Sequence, residues 1–243
     1  MNGRTRKASP VVNLDFAARI EEVATRLFIL HGYNGVSYLD IARELAVTHS
    51  SIHYYFRTKA LLAEAVLRRV ADTTLGAMKG FWADPESSLR AKFVGTRDWM
   101  HAQFLQSNPT GKGGRPWGLL SRFSLEADAL STPMRRILRA SLDRLEEHVN
   151  AGVRAAVGNG ELAADAPVAP IALQIVSLMA VTGPMTRHAS GFDRVDELMH
   201  WSYVVIARAY GRTGSEALEW PAVPDPKREP DPAASTAGTV AAR

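Results

Sequence analysis

The chain of 243 residues contains no cysteine, so disulfide bonds, thiolate nucleophiles and cysteine-ligated zinc are excluded. It also lacks a phosphate-binding loop, a dinucleotide-binding fingerprint and a G-x-S-x-G nucleophile motif, and its glycines cluster between apolar segments. The histidines of the second half stand apart, without spaced acidic or nucleophilic partners. The sequence therefore predicts no catalytic residue, no cofactor and no enzyme activity.

Long hydrophobic runs are also missing. The most apolar run, residues 171–181, is too short to span a bilayer and contains Gln174. The first ten residues carry basic side chains but no apolar stretch, which is unlike a secretory signal. These absences predict a cytoplasmic protein that makes no membrane contact.

The alternation of apolar and polar residues that is typical of strands is absent as well. Apolar residues instead recur at helical spacing through most of the chain. We predict an all-α fold with a basic flexible arm at residues 1–13, a small domain at 14–60 and a larger helical domain at 61–212. A disordered tail rich in proline, alanine and charge is expected at 213–243.

Residues 37–59 predict two short helices joined by a tight turn. Ser37 and Asp40 have the spacing of a capping box at the start of the first helix, and Thr48 is a suitable N-cap for the second. The second helix buries Ile52 on one face. Its other face carries hydroxyl, imidazole and phenol groups, which suit base edges and phosphates. The pattern indicates a helix-turn-helix.

The residues around this motif make it more specific. Their order is Phe28-Ile29-Leu30-His31-Gly32-Tyr33, then Ser37-x3-Ile41-Ala42, then Val47-Thr48-x3-Ile52-x3-Phe56-x2-Lys59. This order resembles the N-terminal domain of the TetR family of transcriptional regulators, over residues 15–67. The resemblance implies a three-helix helix-turn-helix domain followed by a divergent domain for ligand binding and dimerisation. It also implies a repressor that binds double-stranded DNA and responds to a small molecule.

The resemblance transfers DNA contacts position by position. The base-facing positions of the third helix fall on His49, Ser50, Ser51 and His53, and the phosphate contacts fall on Tyr38, Tyr54, Tyr55 and Lys59. The two capping residues, Ser37 and Thr48, complete the predicted set. Ala46 stands where the family has a turn glycine, which fits only if this residue keeps a right-handed conformation.

The charge distribution agrees with a DNA-binding N-terminal region. Residues 1–70 hold 10 Lys and Arg against 6 Asp and Glu, which is the entire net charge of +4. His49 and His53 lie four residues apart and could share a metal ion, but no carboxylate accompanies them as in H-E-x-x-H. We predict no metal site. Both histidines are expected to donate hydrogen bonds to DNA, which would tighten binding at acidic pH.

The last two predicted helices, at about 167–189 and 193–211, are the most apolar part of the chain. A helix that is apolar nearly all round needs a burial partner outside its own core. We predict a homodimer formed through these two helices, so that two DNA-binding domains bind an inverted repeat. Packing within one monomer remains the alternative.

Aromatic and methionine residues at helical spacing are candidates for a ligand site in the larger domain. They are Trp82, Trp99, Met100, Phe104, Trp117 and Phe123. Such a site would suit an unknown apolar or aromatic effector, although the same pattern is typical of plain core. A filled core with an exposed apolar patch would instead favour a DNA-binding regulator that recruits a protein partner and senses no small molecule.

Overall fold

A computed structural model describes residues 10–212 and 220–224. Within these ranges the chain forms nine α-helices and no strand. The helices are α1 (Pro10–His31), α2 (Tyr38–Leu45), α3 (His49–Tyr55), α4 (Lys59–Trp82), α5 (Leu89–Ser107), α6 (Leu119–Leu125), α7 (Thr132–Gly158), α8 (Val168–Ala189) and α9 (Asp193–Tyr210). The predicted all-α fold is confirmed.

The predicted caps begin the short helices. The Ser37 hydroxyl accepts a hydrogen bond from the Asp40 amide, and the Asp40 carboxylate accepts one from the Ser37 amide at 2.8 Å, so the capping box is complete. The bonds from the Ser37 side chain and backbone lower the pKa of Asp40. Thr48 caps α3 and Thr58 caps α4 in the same way. Local sequence therefore determines where these helices start.

The turn between α2 and α3 contradicts one expectation. Ala46 has φ 53° and ψ 42°, which is left-handed and not right-handed. In this conformation the amide of Val47 reaches back to the carbonyl of Ala42 at 3.0 Å and closes the end of α2. A left-handed conformation costs a residue with a Cβ about 1 kcal/mol, so the turn keeps its geometry despite the missing glycine.

Two hydrophobic clusters form the core, and the first does not end at the predicted boundary near residue 60. It joins fully buried residues of α1, α2 and α3 to Phe123 of α6 and Met134 of α7. The second cluster joins the end of α4 to α5, α7, α8 and α9 around Trp82, Phe93 and Phe104. Since α6 belongs to the first cluster, the helix-turn-helix domain packs directly on part of the larger domain.

The helices α8 and α9 pack on each other and on the rest of the larger domain. By length and composition α8, with 22 residues, is long enough to cross a membrane, and so extends well beyond the apolar run at 171–181. In this fold it contributes Ile171 and Ile175 to the second cluster. Its opposite face exposes Leu173 and Val181, while α9 exposes Trp201 and Val205.

Residues 220–222 lie against α5 and α9 and surround the side chain of Arg97, which is fully buried. The Arg97 guanidinium donates to Asp196 at 2.8 Å and to the carbonyl of Pro221 at 2.7 Å. The indole of Trp220 lies 5.2 Å from the same guanidinium and donates to Asp196 at 2.9 Å. This segment differs from the predicted disordered tail, because it supplies acceptors to a buried charge. The rest of that tail falls outside the described residues, as do residues 1–9 of the predicted arm. Residues 10–13 of that arm form the first turn of α1 and so differ from the predicted flexible segment.

Candidate nucleic-acid interface

Four predicted contact residues of α3 are exposed on one face of the DNA-binding domain. They are His49, Ser50, His53 and Tyr54, and 77% of the Tyr54 surface is accessible. Ile52 on the opposite face is fully buried and fixes the rotation of the helix. The imidazoles of His49 and His53 lie 4.6 Å apart, centroid to centroid. The structure therefore brings hydroxyl, imidazole and phenol groups together on one surface.

Three predicted contact residues use their hydroxyl groups in hydrogen bonds at the starts of α2 and α3. The Ser37 hydroxyl donates to the Asp40 carboxylate at 2.6 Å, and the Thr48 and Ser51 hydroxyls lie 2.9 Å apart in a hydrogen bond. These groups hold the starts of α2 and α3 in place. Their predicted DNA contacts stay predictions, and the bonds present here favour a positioning role.

Tyr38 lies inside the domain, with only 6% of its surface accessible. Its phenol donates to the carbonyl of Phe56 at 2.7 Å, which ties the start of α2 to the end of α3. Burial, together with the nearby Tyr33 phenol, raises the pKa of Tyr38 to about 12. The ring also supports the edge of His53, at a centroid distance of 4.8 Å. Tyr38 thus orients a residue of the DNA-facing surface.

Lys59 is half-buried and directed toward the connection between α1 and α2. Its ammonium group donates to the carbonyls of Tyr33 at 3.0 Å and Val36 at 3.1 Å, and it lies 4.5 Å from the centre of the Tyr33 ring. Two of its three N–H donors are therefore used inside the domain. Only the third N–H donor of Lys59 remains for the predicted phosphate contact.

Two residues at the end of α3 and just after it complete the surface. Tyr55 is half-buried, and its ring packs against Phe16 at 5.2 Å. Arg57 follows α3, is exposed and forms no ion pair within the described part of the chain. Its carbonyl lies 3.2 Å from Nδ1 of His53. Arg57 was not among the predicted contacts, although its charge directly after the predicted base-facing helix is a signal for a phosphate contact.

The predicted ligand residues do not form one site. Trp82, Met100 and Phe104 lie in the second hydrophobic cluster, and Trp99 packs against it. Phe123 belongs instead to the first cluster, 5.6 Å from Phe28 of α1. Trp117 packs against the second cluster as well, and of the six it alone lines one of the cavities described, between α6 and α8.

His49 and His53 are the candidate metal ligands of this surface. Across residues 10–212 and 220–224, no three His, Cys, Asp or Glu side chains are grouped so that they could hold an ion. The described contacts of His49 and His53 are with the Tyr38 ring, with each other and with the carbonyl of Arg57.

Comparison with known proteins identifies the small domain. Residues 20–66 match the family model described as bacterial regulatory proteins, tetR family. This match spans α1 from its first fully buried residue, the helix-turn-helix and the first turns of α4. No curated protein sequence matches the chain.

The whole fold recurs in solved structures. A TetR transcriptional regulator from Chloroflexus aurantiacus is 17% identical, with a TM-score of 0.69 over 83% of this chain and 98% of that one. The reduced form of E. coli NemR is 16% identical, with a TM-score of 0.65 over 77% of this chain and 95% of that one. A putative transcriptional regulator from Saccharomonospora viridis, solved with choline, is 19% identical, with a TM-score of 0.65 over 82% of this chain and all of that one. Residues 20–66 thus form a domain of the tetR-family type, and the chain as a whole has the fold of these solved regulators.

Proposed function

We propose that the protein is a cytoplasmic, ligand-responsive repressor that binds an inverted-repeat DNA operator as a homodimer. The observation that carries this proposal is the outward face of α3. His49, Ser50, His53 and Tyr54 are exposed there, while the residues that hold the helix are bonded inside the domain. A short helix with fixed orientation and exposed polar groups fits a major groove.

The exposed apolar residues of α8 and α9 support the dimer. Leu173, Val181, Trp201 and Val205 are each about half accessible in the single chain. Apolar patches of this kind mark interaction surfaces. A two-fold axis through this surface would bury it and place two copies of α3 on successive turns of the duplex.

Response to a small molecule is supported by a cavity between α6 and α8, since α6 also packs on the DNA-binding domain. A second function is favoured by a different observation. Most of the predicted ligand residues are closely packed core, and an apolar face is exposed, as expected for a regulator that recruits a protein partner. A neighbour solved with choline does not decide between them.

Selection of bound duplexes from a random pool at two salt concentrations tests the DNA-binding proposal. An inverted-repeat motif is the expected outcome, and Ser50→Ala and His53→Ala should relax base preference within each half-site. Thr73→Ala serves as the matched control, because Thr73 is exposed on α4 and bonds only to its own helix at Arg69. Salt-sensitive binding without any motif would reject sequence-specific operator binding.

A further inference from the structure

The cavity between α6 and α8 has a volume of about 470 Å³, within the usual range for small-molecule sites. It is partly open to solvent. Its lining residues come from α6, from the stretch before it and from the second half of α8, and they include Trp117, Ser121, Arg122, Leu125, Pro184 and Arg187. The two helices approach closely at its base, because a Cβ on Gly183 would lie 2.9 Å from the Ser121 hydroxyl.

The walls of the cavity are apolar, whereas its charged groups are all cationic. The Trp117 indole N–H is already bonded to Thr186 at 2.9 Å, so its ring serves as a flat surface. Leu125 and Pro184 add further apolar area. Arg187 is exposed at the rim and has no carboxylate within ion-pair distance in the described part of the chain. An apolar wall beside an unpaired guanidinium is complementary to an organic anion.

Arg122 lies where the cavity meets the DNA-binding domain. Its Nε atom is 2.9 Å from Oε1 of Glu126, but it is buried without a hydrogen bond to any described residue. The other carboxylate oxygen, Oε2, accepts from the backbone N–H of Tyr33 at 2.7 Å. A Cβ on Gly32 would lie 2.1 Å from Oε1 of Glu126 and 2.7 Å from the Arg122 guanidinium. We call this contact of Gly32, Tyr33, Arg122 and Glu126 the α1–α6 joint.

The short helix α6 therefore presents two different faces. Leu119 and Phe123 are buried in the same cluster as the helix-turn-helix core. Ser121, Arg122 and Leu125 line the cavity. The side chain of Glu126 thus links Arg122, which lines the cavity, to the backbone at the end of α1.

We propose that the cavity binds an organic monoanion with an apolar ring or chain. The bound anion pairs with Arg122 and so breaks the ion pair between Arg122 and Glu126. The acid group would pair with Arg187 and Arg122, and the apolar body would lie against Trp117. Glu126, partly buried and without its counter-ion, would then turn towards water and release the Tyr33 amide, because a desolvated unpaired carboxylate is unfavourable. This inference rests on the proposed ligand response, for which it names the ligand class and the route to the DNA-binding domain.

Calorimetric titration of the full-length protein in the absence of DNA tests the ligand class. The probes are 1-naphthoate and its neutral counterpart 1-naphthalenemethanol, which share one ring system. We expect the acid to bind at least about tenfold more tightly than the alcohol, as one charge-assisted pair would give. Arg187→Gln should remove most of this preference and leave the affinity for the alcohol unchanged.

Arg139→Gln is the matched control, because Arg139 is exposed on α7 and lines none of the described cavities. It should leave both affinities unchanged. Equal affinities for acid and alcohol, including no measurable binding of either, would overturn the proposed ligand class. An equal loss in Arg187→Gln and Arg139→Gln would mean that net charge and not this cavity attracts the acid, and would also overturn it.

Hydrogen exchange of the Tyr33 amide tests the coupling. Naphthoate should speed this exchange in the wild-type protein and should leave it unchanged in Arg187→Gln at the same concentration. Binding that depends on Arg187 but leaves the Tyr33 amide unaffected would overturn the coupling through Arg122. Neither readout contains DNA, so failure here is separate from failure to select an operator.

Discussion

The DNA-binding domain and the larger domain differ in how their polar groups find partners. In the small domain the caps are local, because Ser37 bonds to Asp40 and Thr48 to Ser51, three residues away in each case. In the larger domain Arg97 reaches Asp196 and Pro221, which are 99 and 124 residues distant. Because the caps of the small domain bond over a few residues, its helix starts can be predicted from the sequence. The contacts of Arg97 in the larger domain join distant residues, so they cannot be predicted in this way.

The small domain contacts the larger domain at the α1–α6 joint. Gly32→Ala, at this contact, should have the largest effect on the stability of the protein. Gly32 has φ +76° and no space for a Cβ beside Glu126. Left-handed strain and overpacking together predict a loss of roughly 3 kcal/mol in the free energy of unfolding. Urea denaturation measures this change.

Gly80→Ala is the control for that substitution. Gly80 lies in α4, and a Cβ there would meet nothing within 4 Å. This change should stabilise the protein by about 0.5 kcal/mol or more through the helix propensity of alanine. Equal losses in the two variants would show that the joint carries no special constraint.

Removal of the segment at 220–222 should have the second largest effect on stability. A chain that ends after residue 212 loses the Pro221 carbonyl and the Trp220 indole, and so leaves Arg97 with fewer acceptors and no cover. We expect a loss of about 2 kcal/mol in thermal unfolding experiments. A chain that ends after residue 224 keeps these contacts and should match the full-length protein. If both truncations behave alike, this long-range contact does not stabilise the larger domain.

The pair Lys59 and Arg57 separates positioning from DNA contact in the small domain. Lys59→Ala removes two hydrogen bonds to the connection after α1 and should lower stability by about 1–2 kcal/mol, as well as DNA affinity. Arg57→Ala should leave stability unchanged, weaken binding to all sequences alike and reduce the salt slope by about one. The prediction fails if Lys59→Ala alters only DNA affinity, because Lys59 would then act as a simple phosphate contact.

The smallest effect should come from the turn after α2. Ala46→Gly relieves the left-handed strain and should stabilise the protein by about 1 kcal/mol. Ala83→Gly is the control, because Ala83 ends α4 in a right-handed conformation with φ −84°. There glycine should be neutral or mildly destabilising, since it only adds freedom to the unfolded chain. A stabilising Ala83→Gly would mean that the gain at position 46 is not relief of strain.

The site residues that could be predicted from the sequence are also those whose interactions are local. Ser37, Thr48 and Ile52 could be assigned from the sequence, because capping and helical periodicity act within a few residues. The outward position of His49, Ser50, His53 and Tyr54 followed from the same periodicity. The inward roles of Tyr38 and Lys59 could not be predicted, since their partners at Phe56, Tyr33 and Val36 are brought close only by packing.

By itself the sequence determined an all-α chain, the caps that begin its short helices and a helix-turn-helix of the TetR type near its start. These features depend on residue spacing over one or two helical turns. Only the tertiary structure decided that Phe123 joins the core of the DNA-binding domain, that Trp220 covers Arg97, and that Arg122 and Glu126 meet the end of α1. Such contacts depend on which helix faces pack together, and the pattern of a single helix does not specify its neighbour.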